Sequence, residues 1–298
     1  MNIEYLKYFY EVATAKSISK VAVNFHISQP ALSQQIQRLE EMLGYKLLNR
    51  SNKGVELTEA GQIVEKYART LVKGYGNMLE DLKAISSNHA TIRINSNVTL
   101  ATYALPCTLY TVQQNFPELL FNLASAFSNQ VEQNVLNDVC DVGFIYGKPE
   151  DKDLSYAKVG AEQLIVVASE GFNIRQDVCL KDLISYPLFM LNNIHREQKQ
   201  INRYLMDLGY NLDHFNISLS LDSIESLKSA VIKGYGLAIV PYISAKKEIY
   251  TKQLKQIYIG DFDMKQDIYI LYKKEKLHNS SVKAFIQYIK KIGEQSFC

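Results

Sequence analysis

Residues 18–39 read ISKVAVNFHISQPALSQQIQRL, and this stretch decides how the N-terminal part of the chain folds. Apolar residues recur at helical spacing in both of its halves: Val21, Ala22 and Phe25, then Leu32, Ile36 and Leu39. Between the halves, Ser28 is a favourable N-cap, and Pro30 follows in the first turn, where its missing N–H costs nothing. Ala22 is small enough to let two helices approach closely. The spacing predicts a helix-turn-helix.

The face of the second helix opposite its apolar residues is polar. It carries the side chains of Gln29, Ser33, Gln34, Gln37 and Arg38. Amide and guanidinium groups are the side chains that read base edges in a DNA major groove. We therefore predict that this helix reads DNA, with Pro30 and Ala31 supplying apolar contacts. The alternative is a two-helix packing element whose polar face is merely solvated.

The next segment, residues 45–61, reads YKLLNRSNKGVELTEAG and suits a two-stranded wing. A short apolar run ends at Leu48, a polar turn follows, and a second extended run covers residues 55–57. The turn region carries Arg50 and Lys53, two cations that we expect to contact phosphates or the minor groove.

The residues SQPALSQQIQRLEEMLGYKLL (28–48) followed by LTEAG (57–61) carry a family resemblance. They resemble the N-terminal domain of the LysR-type transcriptional regulators, and the similarity covers essentially the whole chain. Leu48 stands where this family usually has Phe, and Val21 where a second Ala is common. Both are apolar exchanges away from the reading face. The resemblance implies a winged helix-turn-helix in residues 1–58 that binds double-stranded operator DNA.

A long helix is predicted next, as a linker over residues 59–87. Apolar residues recur along it at steps of four and three: Val64, Ala68, Leu71, Tyr75, Met78, Leu82 and Ile85. Such a heptad seam favours a partner helix. The alternative is a helix packed against its own domain, because Gly74 and Gly76 weaken an isolated coil. In the family the linker helix forms the dimer interface, so the resemblance implies a homodimer and, from it, a homotetramer.

Residues 88–298 change to an alternation of strands and helices, which favours parallel sheets covered by helices on both faces. One of the predicted strands covers residues 164–168. Chain order suggests two lobes, the first over about 91–160 and the second over about 161–262. The resemblance implies an α/β domain like the periplasmic binding proteins, in which residues 263–298 return to the first lobe. A cleft between two such lobes is the usual place for a small ligand.

Several polar segments follow the strands, where ligands of open α/β sheets bind. The candidate effector residues, which match the family's pocket segment by segment, are Ser96, Asn97, Thr99, Ser125, Phe127, Ser128, Tyr146, Asn192 and Ser223. Thr99 is a candidate cap of the following helix. Arg196 and Arg203 share one helix, and an inward turn of either would favour an anion. The expected effector is a polar or anionic metabolite.

Composition is that of a globular protein, with 47% hydrophobic and 21% charged residues. The net charge of +2 does not by itself indicate DNA binding. The N-terminus reads as an amphipathic helix and not as a signal peptide, and no apolar run reaches membrane-spanning length. We expect a cytoplasmic protein with no membrane partner. The four cysteines and five histidines are dispersed, so neither a metal site nor a cofactor is predicted.

Three other functions were weighed. An enzyme is disfavoured, because no G-x-S-x-G, G-x-G-x-x-G after a strand, or G-x-x-x-x-G-K-[ST] occurs. A transport binding protein would fit the C-terminal two-thirds but not the fused DNA reader. A redox sensor needs a second cysteine beside Cys179 in the second lobe, where none is found. The sequence thus predicts a regulator controlled by a small molecule bound between two lobes.

Overall fold

The structure is a computed structural model and describes residues 2–51, 54–84, 89–175 and 178–293. The chain divides into two compact units, residues 1–88 with 137–139 and residues 89–136 with 140–298. No helix within the described ranges is both long and apolar enough to cross a membrane.

The first unit contains four helices and a two-stranded sheet in its described part. The elements are α1 (Ile3–Ala15), α2 (Ile18–Asn24), α3 (Gln29–Leu43), β1 (Leu48–Ser51), β2 (Gly54–Leu57) and α4 (Glu59–Ala84). Helix α3 begins as predicted, since the Ser28 hydroxyl accepts the Ala31 N–H at 3.3 Å. It ends at Gly44, whose φ of 75° suits glycine. The winged helix-turn-helix is confirmed, with β1 and β2 antiparallel.

The helices of this unit close around one apolar core. Its fully buried members include Phe9 and Val12 of α1 and Leu32, Ile36 and Leu39 of α3. The apolar spacing read from the sequence therefore corresponds to the buried face of α3, and the polar face is left outward.

The heptad seam of α4 divides between two environments. Val64 and Ala68 pack into the core of the first unit, with Ala68 fully buried. Leu71 and Met78 are exposed at 48% and 47% of their surfaces. The first part of the predicted seam therefore belongs to the helix's own domain, and an apolar stripe from Leu71 to Leu82 is exposed in the part of the chain that the structure describes. Ile85 lies outside the described residues.

The second unit alternates strands with helices. Its strands are β3 (Ala90–Asn97), β4 (Leu119–Ala126), β5 (Val142–Tyr146), β6 (Ser155–Ser169), β7 (Leu188–Leu191), β8 (Ile217–Leu221), β9 (Leu237–Pro241), β10 (Leu254–Ile257) and β11 (Lys265–Tyr272). Its α-helices are α5 (Leu105–Asn115), α6 (Ser128–Leu136), α7 (Arg196–Asp207), α8 (Ile224–Ile232), α9 (Tyr242–Tyr250) and α10 (Ser280–Ile292). A π-helical turn, Leu100–Ala104, precedes α5.

The strands pair in the order β4-β3-β5-β11-β6-β9-β7-β8, with β10 also on β6. The sheet is mixed, whereas parallel sheets were predicted. Strand β6 pairs antiparallel with β9, β10 and β11, and β11 pairs antiparallel with β5. The strand predicted at 164–168 is also longer, because β6 spans Ser155–Ser169 and crosses from one lobe to the other.

Each lobe has apolar clusters on both faces of its part of the sheet. In the first lobe, Ile94, Phe144 and Phe285 lie in one cluster, and Val135 and Leu271 lie in the other. Phe285 belongs to α10, so the C-terminal helix packs on the first lobe. In the second lobe, clusters around Leu188 and Leu227 take the same places. The two-lobed α/β architecture is confirmed.

Candidate DNA-reading surface and ligand cleft

Helix α3 presents its polar face to solvent. Gln29, Pro30, Gln34 and Arg38 are exposed, while Ala31 and Ser33 are half-buried. The Ser19 hydroxyl of α2 donates to the Gln29 Oε1 at 2.9 Å. This bond ties one end of the Gln29 amide to the preceding helix and leaves the Nε2 hydrogens for an acceptor outside the protein.

The wing carries the other two predicted DNA contacts. Arg50 belongs to β1, where its backbone lies opposite Val55. Lys53 lies outside the described residues, so its contact stays a prediction.

A carboxylate fixes the wing to the reading helix. Glu40, buried near the end of α3, accepts the backbone N–H of Leu47 at 2.8 Å and of Leu48 at 3.2 Å. The Lys46 ammonium lies 2.8 Å from its other oxygen. Burial alone would raise the pKa of Glu40, but the Lys46 hydrogen bond and the two backbone donors outweigh it, and the pKa is lowered.

In the second unit, a cavity of about 140 Å³ lies between the lobes. The first lobe contributes Asn97, Val98, Thr99, Thr102, Tyr103 and Phe127. The second lobe contributes Leu191, His195, Asp222, Ser223, Ile224 and Glu225. Four of the nine predicted effector residues therefore line it, namely Asn97, Thr99, Phe127 and Ser223.

Two of the residues that line the cavity bind backbone N–H groups where a helical segment begins. The Asn97 Oδ1 accepts the Thr99 N–H at 2.9 Å, and the Thr99 hydroxyl makes no capping bond to the turn that follows. Thr99 therefore lies at the expected N-cap position but without a capping bond from its hydroxyl, and the Asn97 side chain forms a local turn with the Thr99 N–H. Ser223 is the N-cap of α8 and accepts the Ser226 N–H at 3.2 Å.

The other five predicted residues do not line this cavity. Ser96 is fully buried and donates to the Asn97 carbonyl, while Ser125 is exposed on the neighbouring strand. Asn192 is half-buried. Tyr146 is fully buried, and burial raises the pKa of its phenol, with Glu162 and Glu197 adding to the shift.

Ser128, the fifth, is buried beside a carboxyl group from the other lobe. The Glu197 side chain, at the start of α7, lies 3.4 Å from the Ser128 hydroxyl and accepts a short bond from the Asn97 amide. Burial raises the pKa of the Glu197 carboxyl, against the opposing effects of a backbone donor and of His195. Two of the residues predicted to bind the effector, Asn97 and Ser128, therefore contact the Glu197 side chain of the same protein.

Several residues that line the cavity were not predicted from the sequence. Asp222 and Glu225 flank the predicted cap Ser223, so a local signal was present for them. Tyr103 lies one helical turn beyond Thr99, and its hydroxyl makes a short bond to Glu225. His195 Nε2 lies 2.9 Å from the Asp222 carbonyl oxygen, a contact that no local pattern indicates.

Arg196 turns inward, the orientation expected from the sequence to favour an anion. Its guanidinium lies 2.6 Å from Glu132 of the first lobe and 3.5 Å from Glu150. Two carboxylates thus neutralise this charge. Arg203 remains exposed on the same helix.

These features agree with the comparison to known families. The LysR substrate binding domain matches residues 86–293, and the lysR-family bacterial regulatory helix-turn-helix protein matches residues 3–62. The chain belongs to the LysR family of transcriptional regulators. This LysR-type regulator is a DNA-binding protein with an effector-binding domain, and its family is not enzymatic.

Relatives of this LysR-type regulator span its whole length. A probable RuBisCO transcriptional regulator of Phaeodactylum tricornutum (strain CCAP 1055/1) is 28% identical, over 99% of this chain and 98% of the relative. One of Cyanophora paradoxa is 26% identical over 97% and 91% of the two chains.

Solved structures show the same fold. The crystal structure of CbnR, a LysR family transcriptional regulator, superposes with a TM-score of 0.82 at 21% identity, covering 99% of this chain and all of CbnR. The Synechocystis PCC6803 CcmR regulatory domain in complex with 2-PG gives a TM-score of 0.60 at 18% identity, over 68% of this chain and 97% of that domain.

Proposed function

We propose that this LysR-type regulator reads operator DNA through the exposed face of α3 and is controlled by a small molecule bound between its two lobes. The observation that carries the proposal is the cavity between the lobes, because both lobes contribute polar side chains and helix starts to its lining. A ligand there favours one arrangement of the lobes and thereby changes the affinity for operator. The compartment proposed is the cytoplasm.

The relatives support both halves of the proposal. CbnR has also been solved as a full-length protein complexed with its target DNA, and the CcmR regulatory domain with 2-PG. The reading helix of this chain offers two amides and a guanidinium on one exposed face, at Gln29, Gln34 and Arg38.

The DNA half is tested on Gln29. In gel-shift titrations of the full chain, Gln29→Ala should reduce discrimination between upstream operator and random DNA by ~1–3 kcal/mol, the usual worth of a good base contact. Gln114→Ala is the control, since Gln114 is an exposed glutamine of α5 in the effector-binding domain and not part of the reading helix. Equal losses on both DNAs would make Gln29 a backbone contact.

The ligand half is tested on Thr99. A metabolite present at 100 times its dissociation constant should stabilise the effector-binding domain by ~2.7 kcal/mol, visible as a shift in melting temperature. Thr99→Val keeps the shape of the cavity wall and should remove most of that shift. A stabilising metabolite whose effect survives both Thr99→Val and Ser223→Ala would place its site outside this cleft.

The exposed stripe of α4 is proposed as the dimer contact. The stripe contains Leu71, Tyr75, Met78 and Leu82, each at least 44% exposed in the single chain. A homodimer presents two reading helices to two half-sites, and a homotetramer is a pair of such dimers.

A further inference from the structure

We infer that the ligand of the cleft is a small organic cation, an amine that is protonated at neutral pH. This inference rests on the proposed ligand cleft and names the charge class of its occupant. It narrows the expectation of a polar or anionic metabolite. Three features of the cavity and its surroundings lead to it.

The first feature is the charge of the cavity wall. The lining residues described include the acidic residues Asp222 and Glu225, both exposed to solvent, and no lysine or arginine. Glu225 is paired with Lys228 at 2.8 Å, so the negative charge available to a ligand is that of Asp222. A cleft lined by one sign of charge concentrates ions of the opposite sign. An anion would enter beside the Asp222 carboxylate, without a lining side chain of permanent positive charge to hold it.

The second feature is that two cations close to the lining residues, Lys228 and Arg196, are already paired with carboxylates of the protein. Lys228 is buried, with its ammonium 2.8 Å from Glu225, 2.9 Å from Glu248 and 2.8 Å from the Ser244 carbonyl oxygen. The Arg196 guanidinium is held by Glu132 and Glu150. Lys247 is exposed on α9 and is not a lining residue.

The position that an anion would take is occupied as well. The amide of Asn97 and the hydroxyl of Ser128 both face the buried carboxyl of Glu197. This side chain is the protein's own acidic group, held at the donors predicted for an effector. An anionic ligand would have to displace it and leave a buried carboxyl without partners, which is costly.

The third feature is aromatic surface. Phe127 is 39% exposed, packs edge-on against His195 and lines the cavity together with Tyr103. The Lys228 ammonium already lies 5.0 Å from the centroid of the Tyr103 ring, so Phe127 is the ring open to a ligand. Aromatic faces attract ammonium groups, and the Asp222 carboxylate can accept their N–H bonds. The volume of about 140 Å³ is below the ~300–1,000 Å³ of sites for drug-sized molecules, so the cation is small.

The test compares three four-carbon probes of nearly equal size on the full chain: butylammonium, 1-butanol and butyrate. Binding is followed by saturation-transfer NMR with the probes at millimolar concentration. We expect butylammonium to bind most tightly and butyrate least. Asp222→Asn should weaken butylammonium about tenfold and leave 1-butanol unchanged. Asp207→Asn, an exposed acid at the end of α7, is the matched control and should change neither.

The possible outcomes distinguish the proposed charge of the ligand from the proposed location of its site. Butyrate binding as tightly as butylammonium, with Thr99→Val weakening both, would overturn the cation and leave the cleft as the ligand site. Butylammonium binding that is insensitive to Asp222→Asn and Thr99→Val would overturn both proposals. Absence of any butylammonium signal would contradict the cation, and the metabolite screen with Thr99→Val would still test the cleft.

Discussion

At the scale of single residues, Glu40 joins the reading helix to the wing through three donors. Glu40→Ala leaves the backbone N–H groups of Leu47 and Leu48 without an acceptor, which should cost about 1–3 kcal/mol of stability. Urea unfolding of the full chain, followed by circular dichroism, measures the loss. Glu41→Ala should stay within about 0.5 kcal/mol, since Glu41 is exposed one residue further along α3.

The pH dependence of this contribution follows from the lowered pKa of Glu40. The stabilisation is present above the pKa of the unfolded chain and is lost as the pH falls through the lower folded pKa. Wild type and Glu40→Ala should therefore converge in stability at acid pH. A constant difference across the acid range would contradict this explanation.

For Glu197, in the effector-binding domain, we expect the opposite dependence of stability on pH. Burial raises its folded pKa, so its contribution is fully present below the unfolded pKa and is lost as the pH rises through the folded value. Glu197→Gln keeps the shape and removes the titration. Its unfolding free energy should vary less with pH than wild type between about pH 5 and pH 8. Glu118→Gln, an exposed acid, should follow wild type, and parallel curves for Glu197→Gln would refute the assignment.

At the scale of elements, α4 contains two glycines with opposite roles. A Cβ at Gly61 would lie 2.1 Å from the Leu47 carbonyl oxygen, whereas one at Gly76 would meet no atom within 4 Å. Gly61→Ala should therefore destabilise the first unit by about 1–3 kcal/mol. Gly76→Ala should stabilise the helix by about 0.5–1 kcal/mol. Urea unfolding distinguishes the signs, and destabilisation by both would show that Gly76 also has a close neighbour, in the dimer.

The exposed stripe of α4 predicts where the dimer forms. Leu71→Asp places a carboxylate in the apolar contact, where an unpaired charge is strongly unfavourable, so sedimentation should show monomers that no longer bind operator. Lys73→Asp adds the same side chain on the opposite face and should remain dimeric. A dimeric Leu71→Asp protein would move the interface to another surface.

Elements set by local chemistry were predictable from the sequence, and those set by distant partners were not. Ser28 and Pro30 act on their own helix, so the start of α3 followed directly. Only residues 164–168 of strand β6 were predicted, because the earlier half lacks the continuous apolar run of the second and is held by its pairing with β11. The Glu197–Asn97 contact joins residues 100 apart, and no periodicity encodes it.

At the scale of the whole effector-binding domain, contacts between lobes complement the crossing strand β6. The Arg196–Glu132 ion pair joins α7 of the second lobe to α6 of the first at 2.6 Å. Both side chains are largely buried, and Glu132 also accepts the backbone N–H of Glu150 at 3.0 Å. This carboxylate therefore stays in place when its cation is removed.

The pair predicts a specific pattern in a double-mutant cycle. Arg196→Met leaves a buried carboxylate without its cation and should cost about 3 kcal/mol in urea unfolding of the full chain. Adding Glu132→Gln removes that unpaired charge, so the double variant should be more stable than Arg196→Met alone. Arg203→Met, on the exposed face of the same helix, should change stability by less than about 0.5 kcal/mol. Additive losses in the cycle would mean that the two charges do not stabilise the joined lobes together.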